Sequence, residues 1–154
     1  MQRILLICLA TLLAGCSTSS VSTVSRVSGL IVAGKIGMAA NAGELSDAIA
    51  IDLSAQGFDV AGPTIVRQID NLAALNQAGI KTLLIVKSIQ AFDGYPSTAT
   101  VQIVSTTDGQ MIAAINWKNG YSGRAGSIDD RIMRSDTEDA AKDIVNEISK
   151  KLSK

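Results

Sequence analysis

The chain contains no histidine, and aromatic residues make up only 3% of its 154 positions. The missing imidazole removes the commonest general base and the commonest neutral metal ligand. A Ser-His-Asp triad, a Cys-His pair and a histidine-containing zinc site cannot be built from this chain. An excess of either charge is also absent, with 14 Lys+Arg against 14 Asp+Glu. That balance argues against nucleic acid, which needs a basic face to replace condensed counterions. There are two cysteines and two prolines. What is present is 47% hydrophobic residues with 18% charged ones, in a length that suits one domain with a substantial core.

Part of that apolar content belongs to the N-terminus. Met1-Gln2-Arg3 carries one positive charge, and Ile4 to Leu13 (ILLICLATLL) is an apolar run. The run is too short to span a bilayer, which takes roughly 20 apolar residues, and has the form of a signal-peptide core. Leu13-Ala14-Gly15-Cys16 follows and resembles the bacterial lipobox. The resemblance implies that the Cys16 thiol is diacylated, that the chain is cut before Cys16, and that the new amino group is acylated. The alternative is an ordinary secretory signal that happens to contain a cysteine. Residues 1–15 are then a signal peptide, and their loss takes Arg3 and Cys8, leaving 13 basic against 14 acidic residues. With Cys16 a thioether, no thiol remains for disulfide or nucleophilic chemistry. Acyl chains, at about 0.8 kcal/mol per buried methylene, anchor a protein without a spanning helix. By the same resemblance, Ser17 rather than Asp after the cysteine implies the outer membrane, on its periplasmic side.

Residues 17–28 read STSSVSTVSRVS, eight of twelve being Ser or Thr. The composition is that of a polar tether, so residues 16–28 are expected to form a lipidated leash and residues 29–154 a single domain. The valines at 21, 24 and 27 leave open that the later part of this run enters a strand.

Within the domain, Gly29 to Gly34 is a short apolar strand candidate. Asn41 to Gln56 has helical periodicity, with Asn41 and Glu44 at capping-box spacing, Leu45, Ala48, Ile49 and Leu53 on one face, and Gly57-Phe58 as a C-terminal cap. Phe58 to Ala61 is a short strand. Thr64 caps a helix over 65–78, with Ile65, Ile69, Leu72 and Ala73 inward. Ile80 to Phe92 is the strongest strand, and its continuously apolar centre, Leu83 to Val86, marks a central one. Thr98 to Thr106 alternates, with Val101 and Ile103 on one face and Thr100 and Gln102 on the other. Asp108-Gly109 turns the chain into a hairpin with Met111 to Trp117. Ser135 to Leu152 is the last helix, with Ser135 and Glu138 as a second capping box and Ala141, Ile144, Val145, Ile148 and Leu152 as its stripe. The predicted order is β-α-β-α-β-β-β-α: an α/β (α+β sandwich) fold with a mixed sheet of about five strands packed by three helices.

Few constellations carry chemistry. Gly29 to Ile36 (GLIVAGKI) stops one residue short of a P-loop, lacking the hydroxyl that binds magnesium, and its intervening residues are strand-like. No nucleotide is expected. Asp129-Asp130 and the group Asp136, Glu138, Asp139 lack the spacing of a calcium loop, and the second group is explained as a solvated helix start. No metal and no cofactor are expected. Tyr95, beside Pro96 at a turn, and Tyr121 and Arg124, in the glycine-rich run 119–127 (NGYSGRAGS), are the residue types that dominate protein interfaces. These three are the candidate partner-binding residues, and Cys16 is the lipidation site.

The order of elements from Glu44 to Leu152 carries a further likeness. A helix ends in Gly57-Phe58-Asp59-Val60. Another leads through Ala78-Gly79-Ile80 into Thr82 to Val86. A strand ends in Thr106-Thr107-Asp108-Gly109-Gln110-Met111-Ile112, and a last helix carries Ala140-Ala141. This resembles the domain shared by the curli secretion lipoprotein CsgG, the penicillin-binding-protein activator LpoB and the N-terminal domain of TolB. Pore-forming members carry extra membrane-spanning hairpins, for which this chain has no room, so a pore is not expected. No functional residue transfers. The expected function is that of an outer-membrane-anchored periplasmic lipoprotein, a non-enzymatic adaptor or assembly factor for another envelope protein. Two alternatives stand beside it: a small envelope hydrolase or peptidoglycan-acting enzyme using carboxylate or Ser-Lys chemistry, and a self-assembling structural lipoprotein.

Overall fold

The computed structural model describes residues 19–40, 43–62, 66, 71–91, 94–120 and 135–154. It is a mixed α+β sandwich, as expected from the sequence. Its strands are β1 (Ser20–Ser25), β2 (Ile31–Val32), β3 (Lys35–Ala40), β4 (Ile80–Gln90), β5 (Pro96–Ser105), β6 (Met111–Lys118) and β7 (Leu152–Ser153). Its helices are α1 (Glu44–Ala55), α2 (Leu72–Gln77) and α3 (Thr137–Ser149). Five strands form one sheet in the order β1-β6-β5-β4-β3, antiparallel except for the parallel β3-β4 pair. The short β2 and β7 pair separately and in parallel.

The period of two along the strands decides what each face does. Leu84 and Val86 of β4, Ala99, Val101 and Ile103 of β5, and Ala113, Ile115 and Trp117 of β6 are buried on one face. There α1 and α3 lie side by side, burying Leu45, Ile49 and Leu53 of α1 with Ala140, Ala141, Ile144, Val145 and Ile148 of α3. Fully burying one such branched aliphatic side chain is worth about 1.5–3 kcal/mol, so this face carries most of the stability. Among the described residues the opposite face is covered toward the β3 edge, where Val66 and Leu75 pack on Ile80, Leu83 and Val104. The rest of it shows Ser20, Ser22, Asn116, Lys118 and Lys87 to solvent.

Gly37 explains how that second cluster closes. A Cβ there would stand 2.9 Å from Ile80 Cγ2 and 3.2 Å from Val66 Cγ2, so only glycine lets these side chains seat on β3. The end of α1 follows the sequence closely. Gly57 has φ +87°, Gly57 N–H donates to Ser54 and Phe58 N–H donates to Leu53. This is a Schellman cap, and buried Phe58 is its hydrophobic contact.

Several expectations change. The run 29–34 contributes only the two-residue β2, and the sheet strand is Lys35–Ala40, whose glycine and alanines hid it. Phe58 to Ala61 reduces to a single bridge between Val60 and Ile36. The Ser/Thr run is not leash throughout: Ser20–Ser25 is the edge strand β1, paired along β6 from Ser20–Lys118 to Ser25–Ala113. Two hydroxyls of this run are bonded to the helical layer. Ser19 Oγ donates to Asp143 at 2.5 Å, and Thr23 Oγ1 to Glu147 at 3.1 Å, two acceptors one turn apart on α3. Polar composition therefore coexists with packing because α3 supplies carboxylates at the matching spacing.

The caps differ as well. α1 starts after Gly43 with no side-chain cap, and Asn41 lies outside the described residues. α3 is capped by Asp136, whose carboxylate accepts from Asp139 N–H at 2.8 Å, while Ser135 is buried one residue earlier. α2 is capped by Asn71, accepting from Ala74 N–H. Its buried residue is Leu75, whereas Ala73 is exposed; Thr64, Ile65 and Ile69 lie outside the described residues.

Candidate functional site

The five sheet strands and the helices α1 and α3 share one orientation problem, and its solution sets Tyr95 and residues 119 and 135 at one end. β1 starts, β6 ends, β5 starts and β4 ends on the same side, because these neighbours are antiparallel. α1 and α3 also begin there, since Gln56 at the close of α1 meets Ser149 at the close of α3, the Ser149 hydroxyl donating to Gln56 Oε1. Tyr95 stands in the β4–β5 turn at this end, 42% exposed. Glu44, Gly94, Tyr95, Asp136, Thr137 and Glu138 line an open depression between the turn and the two helix starts. The acids lie where a helix dipole favours them, and Asp136 is occupied in capping, so a structural role accounts for them. Among the described residues no group of three His, Cys, Asp or Glu side chains could hold a metal ion.

Asn119 is the residue that sequence reasoning missed. It follows β6, is 7% exposed, and makes three hydrogen bonds with its side chain. Nδ2 donates to the carbonyls of Pro96 and Ser135 at 3.0 Å each, and Oδ1 accepts from Ser135 N–H at 3.3 Å. Its backbone N–H donates to Ser97 O at 3.0 Å. An amide side chain here does what a strand residue would do: it pairs with both backbone groups of Ser135. The two ends of the segment between residues 119 and 135 are thereby held together next to Tyr95. No local pattern in NGYSGRAGS marks this, because the partners lie 23 and 16 residues away in sequence. Tyr121 and Arg124 belong to the segment that Asn119 closes, and both lie outside the described residues, as does Cys16.

The buried aromatic is tied to the same edge. Trp117 is 1% exposed, and its Nε1 donates to Asp143 Oδ2 at 3.0 Å, the oxygen that also accepts from Ser19. A buried indole N–H needs such a partner, and Asp143 serves the ring and the incoming chain at once. One turn on, Glu147 is held below the usual carboxylate range, first by the hydrogen bond from Lys150 and further by the one from Thr23.

Two other surfaces are shallow. One lies on the open sheet face among Ser22, Thr98, Thr100, Asn116 and Lys118, where the Thr100 hydroxyl donates to Asn116 Oδ1 at 3.1 Å. The other lies at the opposite end of the sheet, with Leu30, Phe58 and Leu152 beside Gln56 and Lys154. No helix among the described residues is long and apolar enough to cross a membrane.

No protein-family model matches the chain, and no curated protein matches it in sequence. Solved structures do resemble it. PelC from Paraburkholderia phytofirmans, solved as a dodecamer, superposes with a TM-score of 0.50 at 12% identity, over 86% of this chain and 96% of that one. TolB from Acinetobacter baumannii superposes with a TM-score of 0.50 at 17% identity, over 85% of this chain and 30% of that one. The lipoprotein GNA1162 from Neisseria meningitidis gives a TM-score of 0.41 at 13% identity, over 78% and 94% of the two chains. The resemblance to TolB inferred from the order of elements thus holds at the level of fold, and the chain shares that fold with PelC over nearly the whole PelC chain.

Proposed function

We propose that this chain is a lipoprotein, acylated at Cys16 and held at the periplasmic side of the outer membrane, that acts as a non-enzymatic adaptor or assembly factor for another envelope protein. The observation that carries the reading is the pairing of Asn119 with Ser135 and Pro96 beside exposed Tyr95, which holds residues 119 and 135 together at one end of the sheet. Tyr121 and Arg124 in that segment are the proposed partner contacts, since Tyr and Arg are enriched among the residues that dominate protein interfaces. The lipobox-like run Leu13 to Cys16 supports the anchor, and the fold shared with envelope proteins supports the compartment. The double variant Tyr121→Ala/Arg124→Ala should keep the wild-type melting curve and lose its partner in affinity capture from the envelope fraction. Unchanged capture would remove the site assignment.

A second reading is favoured by PelC being solved as a dodecamer: the mature chain assembles with itself. The outward edge of β1, uncharged and without proline from Ser20 to Ser25, is suited to strand pairing. Sedimentation of the unlipidated mature chain separates the two, an adaptor running as a monomer and a structural lipoprotein as a defined oligomer.

A further inference from the structure

We propose that Asn119-Gly120 is a self-modification site: the hydrogen bonds of Asn119 keep it from deamidating, and deamidation, once those bonds open, keeps them open. Asn119 is followed by glycine, whereas Asn41, Asn71, Asn76, Asn116 and Asn146 precede Ala, Leu, Gln, Trp and Glu. An asparagine side chain is attacked by the backbone nitrogen of the next residue. Glycine, with no Cβ, obstructs that approach least.

The reaction needs only water. The Gly120 nitrogen forms a bond to Cγ of Asn119, the Cγ–Nδ2 bond breaks, and ammonia leaves with the proton of the Gly120 amide. The product is a cyclic succinimide. Water then opens the ring at one carbonyl or the other, leaving aspartate or isoaspartate at position 119.

The folded site opposes each step. Both N–H bonds of Nδ2 are engaged, with Pro96 O and Ser135 O at 3.0 Å each, so the leaving nitrogen is tied on two sides. Oδ1 accepts from Ser135 N–H at 3.3 Å, and the Asn119 backbone N–H donates to Ser97 O at 3.0 Å. Turning Cγ onto the Gly120 nitrogen breaks the side-chain bonds, and at 7% exposure Asn119 meets little water. The reaction therefore waits for a local opening in which Asn119 parts from Pro96 and Ser135.

The product cannot reverse that opening. Aspartate keeps an acceptor for Ser135 N–H but has no hydrogen for the carbonyls of Pro96 and Ser135. It also puts a charge where a neutral amide was buried. Isoaspartate adds a methylene to the main chain and moves the carboxylate away from Ser135. The modified fraction thus records past openings beside Tyr95.

The test incubates the purified protein in mildly alkaline buffer, folded and in urea. Peptide mass spectrometry with chromatographic separation quantifies Asn, Asp and isoaspartate at position 119. Conversion should be at least about tenfold slower in the folded protein than in urea. Gly120→Ala should slow it several-fold in urea. Equal rates in the folded and unfolded protein overturn the protection, and a Gly120→Ala rate in urea equal to that of the wild type overturns the route. Asn119→Asp installs one product directly and should melt below the wild type. A wild-type melting curve for Asn119→Asp overturns the one-way opening. If that variant does not fold, the aged wild-type protein, separated from unmodified chains by its extra negative charge, is melted in its place.

Discussion

Asn119 shows how one side chain can define a surface. It satisfies the N–H and the carbonyl of Ser135 and the carbonyl of Pro96, all in a buried setting. Truncation strands these groups without water, and a buried polar group left unpaired costs about 1–3 kcal/mol. Asn119→Ala should therefore lower stability by about 2–3 kcal/mol, while Asn116→Ala, three residues earlier on the exposed face, should cost about 0.5 kcal/mol or less. Urea denaturation followed by the fluorescence of Trp117, the one tryptophan, measures both. Equal losses would mean that Asn119 does not fix the base of the segment. Asp143 is the comparable residue on the helical layer, accepting from Trp117 and Ser19 with one oxygen.

At the scale of elements, β1 changes the organisation of the chain most. A domain starting at residue 29 would leave the edge of β6 unpaired, remove the partly buried Val21 from the face of Trp117, and lose the bonds from Ser19 and Thr23 to α3. These losses together are worth about 2–3 kcal/mol. A chain beginning at Gly29 should melt about 6–12 °C below one beginning at Ser19. Equal melting temperatures would return residues 19–28 to a solvated leash.

The reason β1 was hard to see is physical. Strand periodicity is legible where one face is apolar, as in Thr98 to Thr106, whereas β1 sets one valine, Val21, against the core and meets α3 through hydroxyl-carboxylate bonds, which leaves only a weak apolar signature. β3 lacks a strong strand pattern for another reason: Gly37 carries no side chain because Ile80 and Val66 pack where its Cβ would stand. In contrast, β4, the Asp108-Gly109 hairpin, the apolar stripe of α3 and the Gly57-Phe58 cap follow local rules and were legible. Asn119 follows none, since its role depends on partners brought together only by the complete sheet.

At the scale of the whole molecule, the layers assign different tasks to the two ends and two faces. The helical face is given to stability. The end where β1 enters gathers Tyr95, the starts of α1 and α3, and the closed base of the segment holding Tyr121 and Arg124. With no histidine, the chain lacks the commonest catalytic base. We propose that the chain meets its envelope partner from this end. The direct measurement is photo-crosslinking in cells with a reactive residue at Tyr121 or, at the opposite end, at Gln110. Position 121 should give one discrete crosslinked species, identified as an envelope protein, and position 110 none; the same species from 110 alone, or from both positions equally, would exclude an approach from the Tyr95 end.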